Sequence, residues 1–269
     1  MSTAYLQIPV IIPAYEPGEN LIAFIDYLSE KGIQRIVVVD DGSGKAYESS
    51  FDEITRRENC IVLRHAVNLG KGRALKTAFN ECMNRFPEAA GVVTADSDGQ
   101  HTPEGILSCM QELSGHPDAL VLGCRDFDAS NVPARSSFGN KCTRRVFRYL
   151  LGITITDTQT GLRGIPRSFM EILMNGKGER FEFETNMLIE TKERQIPIRE
   201  VPIDTIYIEQ NQTSHFHPIR DSLRIYLVFT KFVFSSLSSS VVDLLLFGMF
   251  CNMLKGGGAL FGASYIVQA

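Results

Sequence analysis

The feature that most narrows the fold is an alternation of two periods along the first half of the chain. Short β-branched runs are separated by stretches whose apolar residues recur at helical spacing. Residues 8–12 form a buried strand ended by Pro13, and residues 35–39 form a second, closed by Asp40-Asp41-Gly42-Ser43. Residues 60–63, 91–95 and 119–123 are further strands, and helical patterns at 19–31, 71–85 and 103–113 fall among them. Strand, helix, strand at this spacing predicts an α/β fold: a Rossmann-like, mostly parallel sheet with helices on both faces. In such sheets ligands sit beyond the carboxyl ends of the strands. The polar motifs of this chain all lie where strands end.

A chain of 269 residues holds one large domain of this kind and a small appendage. Its net charge of -4 argues neither for nor against an anionic partner, and no nucleic-acid ligand is expected. The average hides a contrast, because 135–148 carries Arg135, Lys141, Arg144, Arg145 and Arg148 without one acid. The 6 cysteines are scattered, without a C-x-x-C pair, and read as reduced core thiols of a cytosolic protein. Met1 to Gln7 lacks the basic start of a signal peptide.

Beyond Gly123 the pattern changes. Residues 133–151 read as a helix with Phe138, Cys142, Val146 and Leu150 on one face and basic residues on the others. Such a helix suits an anionic membrane surface, or equally the cover of a sheet with a solvated basic face. A helix at 183–194 and strands at 198–203 and 205–208 follow, then an interfacial helix at 217–229. Residues 225–254 are nearly continuously apolar, with Lys231 and Asp243 the charges among them. The stretch 232–254 is long enough to cross a bilayer, for which ~20 residues suffice. Its rival is a buried C-terminal helix. Lys231 places the near end on the cytoplasmic side.

Three motifs carry chemistry. In Val92-Val93-Thr94-Ala95-Asp96-Ser97-Asp98-Gly99-Gln100-His101 a hydrophobic strand delivers two carboxylates one residue apart. Alternate residues of an extended segment share a face, so Asp96 and Asp98 can converge on one ion. Hard oxygen donors suit Mg²⁺ or Mn²⁺, which also bind a diphosphate. In Asp40-Asp41-Gly42-Ser43 the carboxylates can accept from a base or ribose, though the same residues make a good turn. Asn68-Leu69-Gly70-Lys71-Gly72-Arg73 lacks the G-x-x-x-x-G-K-[ST] spacing of an ATPase, yet Lys71 near a helix start can face a nucleotide.

In order, these motifs resemble the family 2 glycosyltransferases, and within them the dolichyl- and polyprenyl-phosphate hexose synthases. The likeness starts at Pro13-Ala14-Tyr15-Glu16-Pro17 and continues through Gly123-Cys124-Arg125 and residues 133–143. It includes Asp157-Thr158-Gln159-Thr160-Gly161-Leu162-Arg163, Arg180-Phe181-Glu182-Phe183-Glu184 and Thr213-Ser214-His215-Phe216. It implies a GT-A catalytic domain at 1–215, an interfacial helix at 216–231 and a transmembrane segment at 232–269. That last segment resembles the opening of the small GtrA-like membrane domains. Pro13, Tyr15, Glu16 and Asp41 would line the nucleotide pocket, with Asp40 and Lys71 nearby. Asp96, Asp98 and Gln100 would organise metal and diphosphate. Arg125 and Arg135 would meet the acceptor phosphate, Arg163 and Arg180 would hold charged oxygens, and Asp157 would lie near acceptor or sugar. His215 stands where many relatives have Lys or Arg, which would make any phosphate contact there pH-dependent.

The implied reaction moves a hexose from a UDP- or GDP-linked donor to a polyprenyl phosphate at the cytoplasmic face of the cell membrane, with inversion. The acceptor phosphate is already ionised near neutral pH, so no strong general base is required. Membrane lipid and a second copy, met through the transmembrane segment, are the further partners expected. Two rival readings keep the fold: a transferase with a soluble, glycan or protein-bound acceptor, and a catalytically silent anchor or flippase partner.

Overall fold

The computed structural model describes residues 4–125, 140, 143–145, 147–204, 230, 234 and 237–252. The chain divides into two compact units, Met1–Asp221 and Ser222–Ala269. The first is built on strands β1 (Val10–Ala14), β2 (Ile36–Asp40), β3 (Cys60–Arg64), β4 (Gly91–Thr94), β5 (Leu120–Arg125), β6 (Arg163–Pro166) and β7 (Ile198–Ile203). Its helices are α1 (Asn20–Glu30), α2 (Glu48–Thr55), α3 (Lys71–Arg85), α4 (Pro103–Gly115), α5 (Arg167–Leu173) and α6 (Glu182–Glu193). The strands form one sheet in the order β3-β2-β1-β4-β6-β5-β7. All pairings are parallel except those of β6, which runs antiparallel between β4 and β5.

Both faces of the sheet are covered, as the run-on apolar strands require. Val10, Ile12, Ile36, Val38, Val93 and Val121 join one core with Leu21 and Ile25 of α1, Phe51 and Ile54 of α2, and Ile106 and Met110 of α4. The alternate residues Ile11, Val37, Val39 and Val92 are also fully buried, and period-two alternation turns them to the opposite face. There α3 packs on β1 and β2, and α5 on β4 and β6.

Three elements escape the sequence reading: α2, β6 and α5. The strand β6 is four residues of Arg-Gly-Ile-Pro, with neither alternation nor β-branched enrichment. Gly164 lets it in, because a Cβ there would approach Val121 to 3.0 Å. Pro13 does not end β1; it lies inside the strand, in register with Val39. Its neighbours Pro9 and Ile11 direct their carbonyls to β4, and pairing with β4 stops at Ile11. The missing N–H of Pro13 therefore points where no ladder bond is made.

Of the predicted helix at 133–151, Asn140 and Thr143 to Arg145 are α-helical and Phe147–Leu151 is a π-helical turn. The remainder, with the predicted strand 205–208 and helix 217–229, lies outside the described residues. In the second unit residues 237–252 are helical, and Leu237, Val241, Leu244, Leu245, Phe247 and Phe250 are all exposed. Among the described residues no helix is long and apolar enough to cross a membrane. The stretch 232–254 extends beyond the described residues at both ends.

Candidate active site

The motifs meet at the carboxyl ends of β1, β2, β4 and β5. Glu16 turns the chain after β1 with φ of 45°, and its N–H donates to Ser43 Oγ at 2.9 Å. Tyr15 titrates above its usual value, first through its hydrogen bond to Glu16 and then through burial. Both side chains are half-buried beside the turn that follows β2.

That turn is held by its own acids. Asp40 Oδ1 accepts from Ser43 N at 2.9 Å. The Asp41 carboxylate accepts from Leu69 N at 2.9 Å and Gly70 N at 2.7 Å, and lies 2.6 Å from His65 Nδ1. His65 Nε2 reaches Thr77 Oγ1 at 2.9 Å, so the relay ends on α3. Gly42, at φ of 75°, has no room for a side chain, since a Cβ would lie 2.3 Å from the carbonyl carbon of Val67. Of the two aspartates expected to line a nucleotide pocket, Asp40 holds the turn after β2 and Asp41 fastens the 65–70 loop to it.

The glycines of that loop also serve packing. A Cβ at Gly70 would lie 2.6 Å from Glu179 O, and one at Gly72 2.6 Å from Phe183 Cβ. The start of α3 and the 179–183 segment are therefore in backbone contact, reinforced by Arg73 N donating to Glu179 O at 2.9 Å. Arg180 donates to Asn68 Oδ1 at 2.9 Å across the same seam. Lys71 leaves this seam for the site. Its Nζ lies 2.7 Å from Asp96 Oδ1 and 2.9 Å from Glu184 Oε1. Burial alone would lower the Lys71 pKa, but the two carboxylates raise it overall.

Asp96 and Asp98 emerge from β4 as the sequence predicts. Burial would raise the Asp96 pKa, yet the charge of Lys71 and the bond to His101 hold it well below the usual carboxylate range. Asp98 is raised, by burial and then by the charge of Asp96. Its Oδ1 accepts from Gln100 N at 3.0 Å. His101 Nε2 lies 3.3 Å from Asp96 Oδ2, while its Nδ1 is buried without a hydrogen-bond partner. Gly161 makes room for Asp96, because a Cβ there would fall 2.3 Å from Oδ2. Two adjacent carboxylates that disfavour each other's ionisation, both hard oxygen donors, fit a divalent cation. Among the described residues no group of three or more His, Cys, Asp or Glu could hold a metal ion. A cation held here would need further oxygens besides those of Asp96 and Asp98.

Asp157 is wholly buried and gives both oxygens to neighbours. Arg125 donates from Nε at 2.7 Å to Oδ2 and from NH2 at 3.1 Å to Oδ1, which also accepts from Gln159 N. It positions Arg125, whose side chain remains one-fifth exposed. Arg163 turns inward instead of toward solvent oxygens. It is 1% exposed, and donates to Thr160 O at 2.9 Å and Glu184 O at 2.7 Å. Burial draws its pKa down, against the opposing charges of Glu184, Asp157 and Asp96. Arg135 and His215 lie outside the described residues. The residues missed as participants are Glu184, His101 and His65. Glu184 and His101 sit within quoted motifs; His101 meets Asp96 of its own motif, whereas the Lys71 partner of Glu184 comes from a distant element and leaves no spacing to read.

Residues 10–173 match the family described as Glycosyl transferase family 2. The chain is 30% identical over 217 residues to a UDP-N-acetylglucosamine–dolichyl-phosphate N-acetylglucosaminyltransferase of Methanococcus voltae, covering 74% of this chain and 86% of that one. It is 28% identical over 185 residues to a polyprenol monophosphomannose synthase of Mycolicibacterium smegmatis, covering 65% and 69%. Among solved structures, glucosyl-3-phosphoglycerate synthase of Mycobacterium tuberculosis, with Mn²⁺, UDP and phosphoglyceric acid, superposes with a TM-score of 0.62 at 18% identity. That match covers 85% of this chain and 78% of the other.

Proposed function

The chain belongs to glycosyl transferase family 2, and on that premise we propose that it moves a hexose from a UDP- or GDP-linked donor to a polyprenyl phosphate, with inversion. The observation that carries this reading is the half-buried Asp96 and Asp98 that follow β4, with the Lys71 ammonium on Asp96 and the Arg125 guanidinium at the end of β5. The acceptor class is supported by relatives named for dolichyl and polyprenol phosphate transfer.

A divalent ion, Mg²⁺ or Mn²⁺, bound at Asp96 and Asp98 with Gln100 beside them would offset charge on the leaving diphosphate. The protein's own part is positioning. Asp157 holds Arg125 by two parallel hydrogen bonds, so the guanidinium keeps one orientation toward an incoming phosphate. Tyr15 and Glu16 border the donor side, and Arg180 closes the seam over Asn68. Arg135 and His215 are assigned to the acceptor side on the resemblance alone. Because a phosphate acceptor carries its own negative charge, the buried Asp157 is not needed as a base.

The 1–215 domain is taken as catalytic, 216–231 as interfacial and 232–269 as membrane-embedded, with the catalytic domain at the cytoplasmic face and copies associating through the span. Support comes from the second unit, whose helical residues 237–250 expose Leu237, Val241, Leu244, Leu245, Phe247 and Phe250. The full chain is expected to stay with membranes through an alkaline carbonate wash; recovery as a soluble monomer would remove this part of the proposal. For the reaction, the purified chain in detergent is given UDP- and GDP-sugars, Mn²⁺ and polyprenyl phosphate. Lipid-linked sugar is the expected product. Transfer to soluble sugars but not to the lipid phosphate would overturn the acceptor.

A further inference from the structure

Lys71 occupies the coordination position that the metal reading needs. Asp96 has both oxygens engaged: Oδ1 by Lys71 Nζ at 2.7 Å, and Oδ2 by His101 Nε2 at 3.3 Å with Gly161 pressed against it. A dication approaching Asp96 meets a full positive charge already within hydrogen-bond distance. The lysine is not held by Asp96 alone. Glu184 Oε1 lies 2.9 Å from the same Nζ, and its side chain is 12% exposed.

The position of Glu184 is fixed by elements outside the site. Its carbonyl accepts from the buried Arg163 of β6 at 2.7 Å. Its neighbour Phe183 is fully buried, packs near Phe79 of α3, and fits only because residue 72 is glycine. The first turns of α3 and α6 are thus locked together. Lys71 sits between a carboxylate in the metal site and one that no diphosphate needs.

We propose that Lys71 is a resident counter-cation of Asp96 which a divalent ion must displace, and that Glu184 is the positioning residue that receives it. This rests on the metal reading given above and adds a mechanism for loading. Without a metal, Lys71 offsets the charge of Asp96. As the ion binds, the ammonium leans to Glu184 and stays near enough to contact a diphosphate. Glu184 therefore sets metal affinity without touching the metal.

The test is direct binding of Mn²⁺ alone to the full chain in detergent, followed by the electron paramagnetic resonance of free Mn²⁺. Lys71→Met should tighten binding by roughly tenfold or more, the scale on which an opposite charge at this range alters a carboxylate's affinity for a proton. Lys71→Arg, which keeps the charge, should bind close to wild type. Glu184→Gln should weaken Mn²⁺ binding several-fold, because Lys71 then leans wholly on Asp96. A merely structural Glu184 would lower the melting temperature and leave Mn²⁺ affinity unchanged, which overturns the proposal. So does unchanged or weaker binding in Lys71→Met. If that variant fails to fold around an unpaired Glu184, the double variant Lys71→Met/Glu184→Gln decides, and it should bind tightly. Equal Mn²⁺ affinity in all variants, abolished by Asp98→Asn, leaves the metal reading intact and overturns only this inference. Failure of wild type to bind Mn²⁺ even with UDP removes both.

Discussion

Two acidic strand ends flank β1 in this sheet and are satisfied in opposite ways. After β2, Asp40 and Asp41 accept mostly from backbone N–H groups: Ser43, Leu69 and Gly70. After β4, Asp96 is met by two side chains, Lys71 and His101. Backbone donors cannot leave without unfolding the loop. A lysine ammonium can move by rotating its stem. Asp40 and Asp41 are therefore fixed in place, whereas Asp96 can exchange partners, which is what a site that loads and releases a charged ligand requires.

The contrast is broken most severely if the exchangeable pair proves dispensable. Asp98→Asn should reduce transfer by roughly 100-fold or more, since an amide is a poor ligand for a hard cation and the lost stabilisation is several kcal/mol. It should not destabilise the fold. Burial and the charge of Asp96 hold the Asp98 pKa above its unfolded value, so ionised Asp98 opposes folding at neutral pH and the variant should melt at or above wild type. That advantage should shrink as pH falls, because wild-type Asp98 then takes up its proton in the folded state first. Wild-type turnover in this variant, or full activity in excess EDTA, would place chemistry elsewhere.

Asp41→Ala should show the reverse. Removing the carboxylate strands Leu69 N, Gly70 N and His65 in a region where Asp41 is 3% exposed. The expected loss is about 3 kcal/mol of stability, from buried donors left without acceptors. It is read as a lower unfolding midpoint of the full chain. Residual transfer per folded molecule should exceed that of Asp98→Asn. A stable Asp41→Ala with abolished UDP binding would make Asp41 a ligand contact first and scaffold second.

How far the sequence discloses this contrast depends on which partner an atom has. The strands, the parallel order and the emergence of Asp96 and Asp98 are legible because period and burial are local properties. The protein partners of Asp41 and Arg163 are not. Asp-Asp-Gly-Ser is equally a turn and a ligand motif, and the donors Leu69 and Gly70 that hold Asp41 stand 28 and 29 residues away from it in the chain. The resemblance makes Arg163 a holder of charged oxygens, and arginines are seldom buried. Its interior position follows from β6, a strand with no pattern of its own. Glycines 70 and 72 suggest a phosphate cradle for the same reason: sequence shows the missing side chain, not what fills the space.

The smallest effect calibrates the other two. Asp26 and Arg57 join α1 to the end of α2 through two hydrogen bonds, of 2.6 Å and 3.0 Å. This carboxylate is held by a side chain, as Asp96 is, but its side chain is 48% exposed. The hydrogen bond from Arg57 lowers the Asp26 pKa, against a smaller opposing effect of burial. A carboxyl lowered on folding contributes stability above its unfolded pKa, about 3.9, and loses it as pH falls through the folded value. Solvent screens so exposed a pair, so Asp26→Asn should cost less than about 1 kcal/mol at neutral pH. The difference from wild type should fade in melts taken at successively lower pH. A loss as large as that of Asp41→Ala would mean that a movable arginine fastens a carboxylate as firmly as fixed backbone donors do. The distinction between the two strand ends would then rest on burial alone.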